Sequence, residues 1–190
     1  MSTTWAQVQT AIQAWAAGVV TPAPVIWAKQ NAPRPARPYV TLSLSAMVPL
    51  GHDHFGDVDG ETGARDIQSD VDLTVQVEAF AAERDFNGAP PLLMSLSMSL
   101  EGQAVQDALR VGGVGIVDTL PVQDLSLLRN PDFEGRAIMP VRFRWRNTLQ
   151  ETPGLIETVV LEGTGTPDGT DTEIDTTSII GEPIEEDPEP

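Results

Sequence analysis

Apolar and polar residues recur along this chain in two periods, and the places where the period changes mark the ends of its elements. Trp5, Val8, Ile12 and Trp15 return at intervals of three, four and three, the stripe of an amphipathic helix of about three turns. Ser2, Thr3 and Thr4 are its candidate N-caps and Gly18 its stop, and its two tryptophans are expected to dock it on a sheet. From Tyr39 to Met47 the period falls to two. Val40, Leu42 and Leu44 take one face and Tyr39, Thr41, Ser43 and Ser45 the other, which predicts a half-buried strand. Asp70 to Phe80 repeats the pattern more cleanly, with Val71, Leu73, Val75 and Val77 against Asp72, Thr74, Gln76 and Glu78. These two strands are expected to pair antiparallel across a long polar loop, Pro49 to Ser69.

In LLMSLSMSLEGQAVQDALRVGG both periods are present. The helix formers of AVQDAL and the terminal Gly112 and Gly113 favour one helix from about Pro91 to Arg110, weakened at Gly102, with Met94 and Met98 as core filler. Short strands are expected near Val114–Thr119 and Val122–Leu128, then a turn over Asn130–Gly135. RAIMPVRFRWRN reads as a strand with Val141, Phe143 and Trp145 on one face and Arg142, Arg144 and Arg146 on the other. Leu155–Leu161 suits one more strand. Beyond Gly163 the composition is that of a flexible tail. The fold class is therefore α/β of the α+β kind: a mixed, mainly antiparallel sheet with an N-terminal helix and one longer central helix. Residues 1–162 form the domain and 163–190 the tail.

Between the first helix and the first strand lies VIWAKQNAPRPARPYV, Val25 to Val40. It holds the only lysine, two arginines, three prolines and the only tyrosine. Proline fixes φ, removes a donor and extends the residue before it, so this stretch is neither a helix nor a central strand but a stiff connector.

Charge narrows the range of partners. The net charge is −17, and residues 151–190 contribute 12 acids and no base. Such a surface repels nucleic-acid phosphates and anionic membranes instead of binding them. Cysteine is absent, which removes disulfides and thiolate metal sites, and no stretch approaches the length of a membrane span. A protein made in a cytoplasm is expected. The loop 49–69 gathers His52, His54, Asp53, Asp57, Asp59 and Glu61, but the spacing matches neither a calcium loop nor a helix-borne zinc pattern. A solvated hairpin loop is the expectation there, with no catalytic, cofactor or metal residue assigned. Gly112, Gly113 and Gly115 lack the lysine and hydroxyl residue of a phosphate loop. The three arginines at 142, 144 and 146 are expected to meet acids, either Asp72 and Glu78 on a neighbouring strand or the surface of another copy.

The connector also carries a resemblance. Trp27, Gln30, Asn31, Pro33, Arg34, Pro35, Pro38, Tyr39 and Val40 match W-x-x-Q-N-x-P-R-P-x-x-P-Y-V, a phrase similar to one shared by neck or tail-terminator (tail completion) proteins of tailed bacteriophages. Element order extends the resemblance over residues 5–162, through VRFRWRN and IETVVLEG. It implies a structural virion subunit, not an enzyme, that forms a ring, commonly six-fold, capping the tail tube beneath the head-to-tail connector. Its partners would be itself, the tube protein and connector or adaptor proteins, with DNA only as passing cargo and no membrane or cofactor. On this reading Arg34, Arg37, Pro35, Tyr39, Arg142, Arg144 and Arg146 are candidate interface residues. Asp53, Asp57, Asp59 and Glu61 are candidates for a lumen or partner loop. The alternatives are another virion component, an adaptor or tube protein, and a metal-dependent hydrolase using His52, His54 and Asp57.

Overall fold

The computed structural model describes residues 3–29, 33–82, 88–129, 132–153, 158–165 and 172–179. Within them the elements run α1 (Trp5–Val19), β1 (Val25–Trp27), β2 (Tyr39–Phe55), β3 (Arg65–Phe80), α2 (Ala89–Ser99), α3 (Gln103–Val111), β4 (Val114–Thr119), β5 (Gln123–Asp124), β6 (Leu127–Arg129), β7 (Asp132–Glu134), β8 (Arg136–Glu151), β9 (Thr158–Gly165) and β10 (Thr172–Ile179). Two compact units emerge, Met1–His54 with Gln68–Thr148 and Phe55–Ile67 with Leu149–Pro190, with boundaries inside β2, β3 and β8.

The first unit is built on a sheet ordered β1-β2-β3-β8-β4, with β5 added beside β8. Residues 56–64 are all that join β2 to β3, and they reach at most ~30 Å, whereas a return along β3 would need ~50 Å. The two strands therefore run antiparallel. Arg146 meets Asp70, Arg144 meets Asp72 and Arg136 meets Glu78, so β8 and β3 run in opposite directions too. β4 is antiparallel to β8, and only the short edge strand β1 lies parallel to its neighbour, Val25 opposite Val40. This is the mixed, mainly antiparallel α+β arrangement that the periodicity predicts.

Alternation along the strands sorts the sheet into a buried face and a polar one. Val40, Leu42, Leu73, Val75, Val77, Met139, Val141 and Phe143 are buried and meet Val8, Ile12 and Ala16 of α1 in one core. Thr4 caps α1 in a capping box, its Oγ1 accepting from Gln7 N–H while Gln7 Oε1 accepts from Thr4 N–H at 2.7 Å. The helix runs one residue past Gly18 before Val20 caps it. The tryptophans dock it as expected. Trp15 meets Phe143 edge-on at 5.8 Å and donates to Ser99 Oγ at 2.9 Å. Trp5 packs between Trp27 and Trp145 at 6.2 and 6.1 Å, and Trp145 donates to Thr3 O at 3.0 Å.

Several elements differ from the sequence expectation, each for a physical reason. The central helix divides into α2 and α3, with Gly102 extended as the new N-cap. At ~100° per residue an unbroken helix would turn Leu109 about half a turn away from Leu100; the break lets both be buried. The stripe used by α2 is Leu93, Leu96 and Leu100, which leaves Met94 and Met98 exposed instead of in the core. β2 and β3 reach far into the expected 49–69 loop, reducing it to residues 56–64. Residues 45–55 of β2 bury no side chain, so backbone pairing builds this stretch without the apolar alternation that would announce it. The expected 122–128 strand is split between β5 and β6, and β7 pairs with β6 where a simple turn was expected. In the second unit β10 pairs with β9, Thr172 opposite Gly165 and Ile179 opposite Thr158. That ladder occupies part of the expected flexible tail, where β-branched residues at 172, 174, 176, 177 and 179 outweigh the acidic composition. Residues 155–157 of the expected strand, and 166–171 and 180–190 of the expected tail, lie outside the described residues.

Candidate functional site

The connector is tied to the fold at both ends. Gln13 Nε2 donates to Val25 O at 2.9 Å, and Trp27 Nε1 donates to Gln9 O at 3.3 Å, so β1 is pinned to α1 as well as to β2. Lys29 then turns the chain off the sheet with φ 65°; Gln30 and Asn31 of the recognised phrase lie outside the described residues. Pro33 and Arg34 are exposed and Pro35 half-buried. Arg37 differs from the sequence expectation of a presented cation: its guanidinium is turned inward onto Glu134. Tyr39 differs more. It is 3% exposed and stacked on Phe80 at 4.7 Å, with Arg136 at 5.6 Å over the Phe80 ring. Tyr39 lies on the strand face of Thr41 and Ser43, and there it makes a small aromatic cluster of its own, so it is a packing residue and not a surface anchor.

The arginine row has internal partners. Arg142 forks onto Asp118 of β4, Arg144 donates to Asp72 at 2.9 Å and Arg146 to Asp70 at 2.8 Å. Asp72 is a partner that the sequence points to. Glu78 instead receives Arg136, through two bonds of 3.1 and 2.7 Å. The signal for Asp70 and Asp118 was their place on neighbouring strands, but register decides which acid meets which arginine, and composition does not contain register. The polar sheet face thus carries four cations matched by four carboxylates. Fork-on-carboxylate contacts hold Asp70 and Asp118 below the usual aspartate range, each through its arginine's hydrogen bond first.

That depression has a testable sign. An Asp whose folded pKa is lowered adds stability above its unfolded pKa, and the gain disappears as pH falls through the folded value. Replacing Asp70 and Asp118 by Asn should therefore lower the urea midpoint near pH 7 and flatten its decline on acidification below about pH 4. Equal acid sensitivity in the variant and the parent would show that these pairs contribute nothing to the native state.

Lys29 and Arg34 stand apart. Every other lysine or arginine side chain that the structure describes is ion-paired, with Glu134, Glu151, Asp107, Glu78, Asp118, Asp72 or Asp70. These two, at either side of residues 30–32, have no such partner among the described residues.

In the second unit Asp59 organises the turn of the β2–β3 hairpin. Its Oδ1 accepts from Glu61 N–H at 3.0 Å, Thr62 N–H at 2.7 Å and Thr62 Oγ1 at 2.9 Å, and these bonds, the Thr62 backbone bond foremost, hold its pKa low. Asp57 and Glu61 are exposed. Arg65 lies over Phe55 at 4.9 Å and bonds Glu151. His52, Asp53 and His54 sit exposed on β2 in the first unit. Among the described residues no three His, Asp or Glu side chains come together as a metal-holding group, and no helix is long and apolar enough to cross a membrane.

The glycines at the end of α3 have a packing reason. A Cβ at Gly112 would lie 2.4 Å from Ala11 Cβ, and one at Gly113, whose φ is 74°, would lie 2.9 Å from Thr3 Cβ. They admit the close approach of α1 and of Thr3 just before it.

What the geometry presents is a chain with a self-neutralised sheet face, an exposed acidic hairpin turn and a connector bearing two cations that have no acidic partner among the described residues. No curated protein matches the sequence. The family model of the phage neck terminator protein matches residues 6–170, a span that includes the whole connector. On that match the chain belongs to the phage neck terminator family and is a structural protein of the virion neck.

Proposed function

We infer that the protein is a tail terminator whose copies close into a ring, six-fold by the resemblance, that caps the tail tube, meets the connector and lets DNA pass. The observation that carries the ring is the pair Lys29 and Arg34: exposed cations with no acidic partner among the described residues, in a chain of net charge −17. A closed ring requires a heterologous contact, two different patches that complement each other. The connector supplies one, on a segment already stiffened by proline, so little entropy is lost when it docks. The self-paired arginines at 142, 144 and 146 then serve the sheet first, and Arg37 and Tyr39 hold the connector in place. Asp53, Asp57 and Glu61, with Asp59 shaping the turn, are the proposed lumen residues, where like charge keeps passing phosphates from adhering. Assembly would follow synthesis in the host cytoplasm, with the tube and connector proteins as partners and no catalytic step.

Electron microscopy of the purified protein and of disrupted particles tests the reading. Single closed rings at one end of the tail are expected, while stacked rings along its length would make this a tube protein. Arg34→Glu should weaken ring association about tenfold or more, since like-charge contacts at an interface cost upwards of ~1.4 kcal/mol. Native mass spectrometry showing an undiminished ring in that variant would remove the connector from the interface. Arg142→Glu should act on stability instead, through the loss of Asp118.

A further inference from the structure

Among the described residues the sheet of the first unit has two open edges. β1 covers β2 only from Val40 to Leu42. There Val40 N–H donates to Pro24 O and Leu42 O accepts from Ala28 N–H, so the even-numbered residues of β2 turn their backbone groups towards β1. Strand alternation carries that direction to Leu44, Ala46 and Val48, beyond the point where Lys29 has led the chain away. No described strand pairs with this side of β2. Met47 and Val48 are exposed beside it, 43% and 53%, and the run ends at Pro49. At the opposite margin β4 pairs, among the described strands, with β8 alone. Its six residues border an open cleft lined by Leu100, Glu101, Gln106 and Arg110, in which the Glu101 carboxylate has no partner among the described residues. An uncovered edge of this kind is a template for another strand.

We propose that β4 of one copy adds to the open edge of β2 of the next, so that the sheet continues from subunit to subunit. This rests on the ring reading and names its contact. A second copy is the occupant because the two edges match in length, about five residues on β2 and six on β4. They also match in charge: Lys29 stands where β1 leaves the β2 edge, with Arg34 on the same connector, and Glu101, unpaired among the described residues, borders β4. Because the edges differ, the addition is head-to-tail, the arrangement that closes rings.

The absence of cysteine makes cross-linking clean. Val48→Cys and Val117→Cys, singly and together, would be treated with a bismaleimide of about 8 Å span, which tolerates a shift of two residues in register. The expected result is a ladder of covalent multimers from the double variant and none from either single variant. Dimers from Val48→Cys alone would overturn the proposal, because the β2 edge would then pair with itself. Rings visible by electron microscopy without a ladder would overturn the strand contact and leave the ring reading standing. Absence of rings would sink both. Ala46→Pro gives a second readout: it removes an N–H that the subunit's own sheet does not use, at an edge where proline is tolerated. It should abolish rings with the thermal midpoint within a few degrees of the parent's, and rings undiminished in this variant would also overturn the proposal.

Discussion

Phe143→Ala will be among the most destabilising single substitutions in this protein, lowering the free energy of unfolding by about 3–5 kcal/mol. Phe143 is fully buried on β8, the strand between β3 and β4, and its ring lies edge-on to Trp15. Both the lost transfer energy and the cavity count, and the second depends on whether the surroundings can close in. Here they are held. The strands on either side are fixed by backbone pairing, and α1 above is fastened through Trp15 to Ser99 and through Trp145 to Thr3. Urea denaturation would give the value from the midpoint at unchanged slope. A loss under about 1 kcal/mol would mean that α1 settles into the space, and that the tryptophan contacts restrain it less than their geometry indicates.

Two kinds of information separate what the sequence discloses from what it hides. The strands with one buried face, Tyr39 to Leu44 and Val71 to Phe80, are legible because burial imposes period two on their side chains. The outer halves of the same strands are not. From Ser45 to Phe55 no side chain is buried, so pairing there is a property of the backbone, and glycine and histidine serve as well as valine. The α2–α3 break was half visible: Gly102 marks the place, but only the need to bury both Leu100 and Leu109 says that the chain bends there. At the candidate site the connector could be read as rigid and basic. Which of its cations points outward could not, because Arg37 is claimed by Glu134, ninety-seven residues away. The arginine row shows the same limit. Alternation places Arg142, Arg144 and Arg146 on one face, whereas their pairing with Asp118, Asp72 and Asp70 follows from the order and register of three strands.

This internal pairing changes how the negative charge works. Ion pairs on a sheet face contribute little each when exposed, but matching every arginine there leaves no cationic stripe that would hold DNA electrostatically. The same pairing also restricts recognition by charge to the places where a cation stays unmatched, and among the side chains that the structure describes those are Lys29 and Arg34.

Gly112→Ala should destabilise the fold by about 1–3 kcal/mol, the range for forcing extra volume into a packed contact. Gly112 has φ −75°, an angle any residue accepts, so its requirement is for space alone. The new methyl would sit 2.4 Å from Ala11 Cβ, and alanine has no rotamer by which to withdraw. Relief must come from moving α1 away from α3, which disturbs the burial of Leu109 and Ile12. Ala11→Gly supplies the missing room and tests that cause. Alone it should cost up to ~1 kcal/mol in helix propensity, but combined with Gly112→Ala it should give a loss smaller than the sum by about 1 kcal/mol or more, the coupling expected of residues in contact. Chemical denaturation of the four proteins measures that coupling. Strict additivity would show that the two methyls never meet and that Gly112 is required for some other reason.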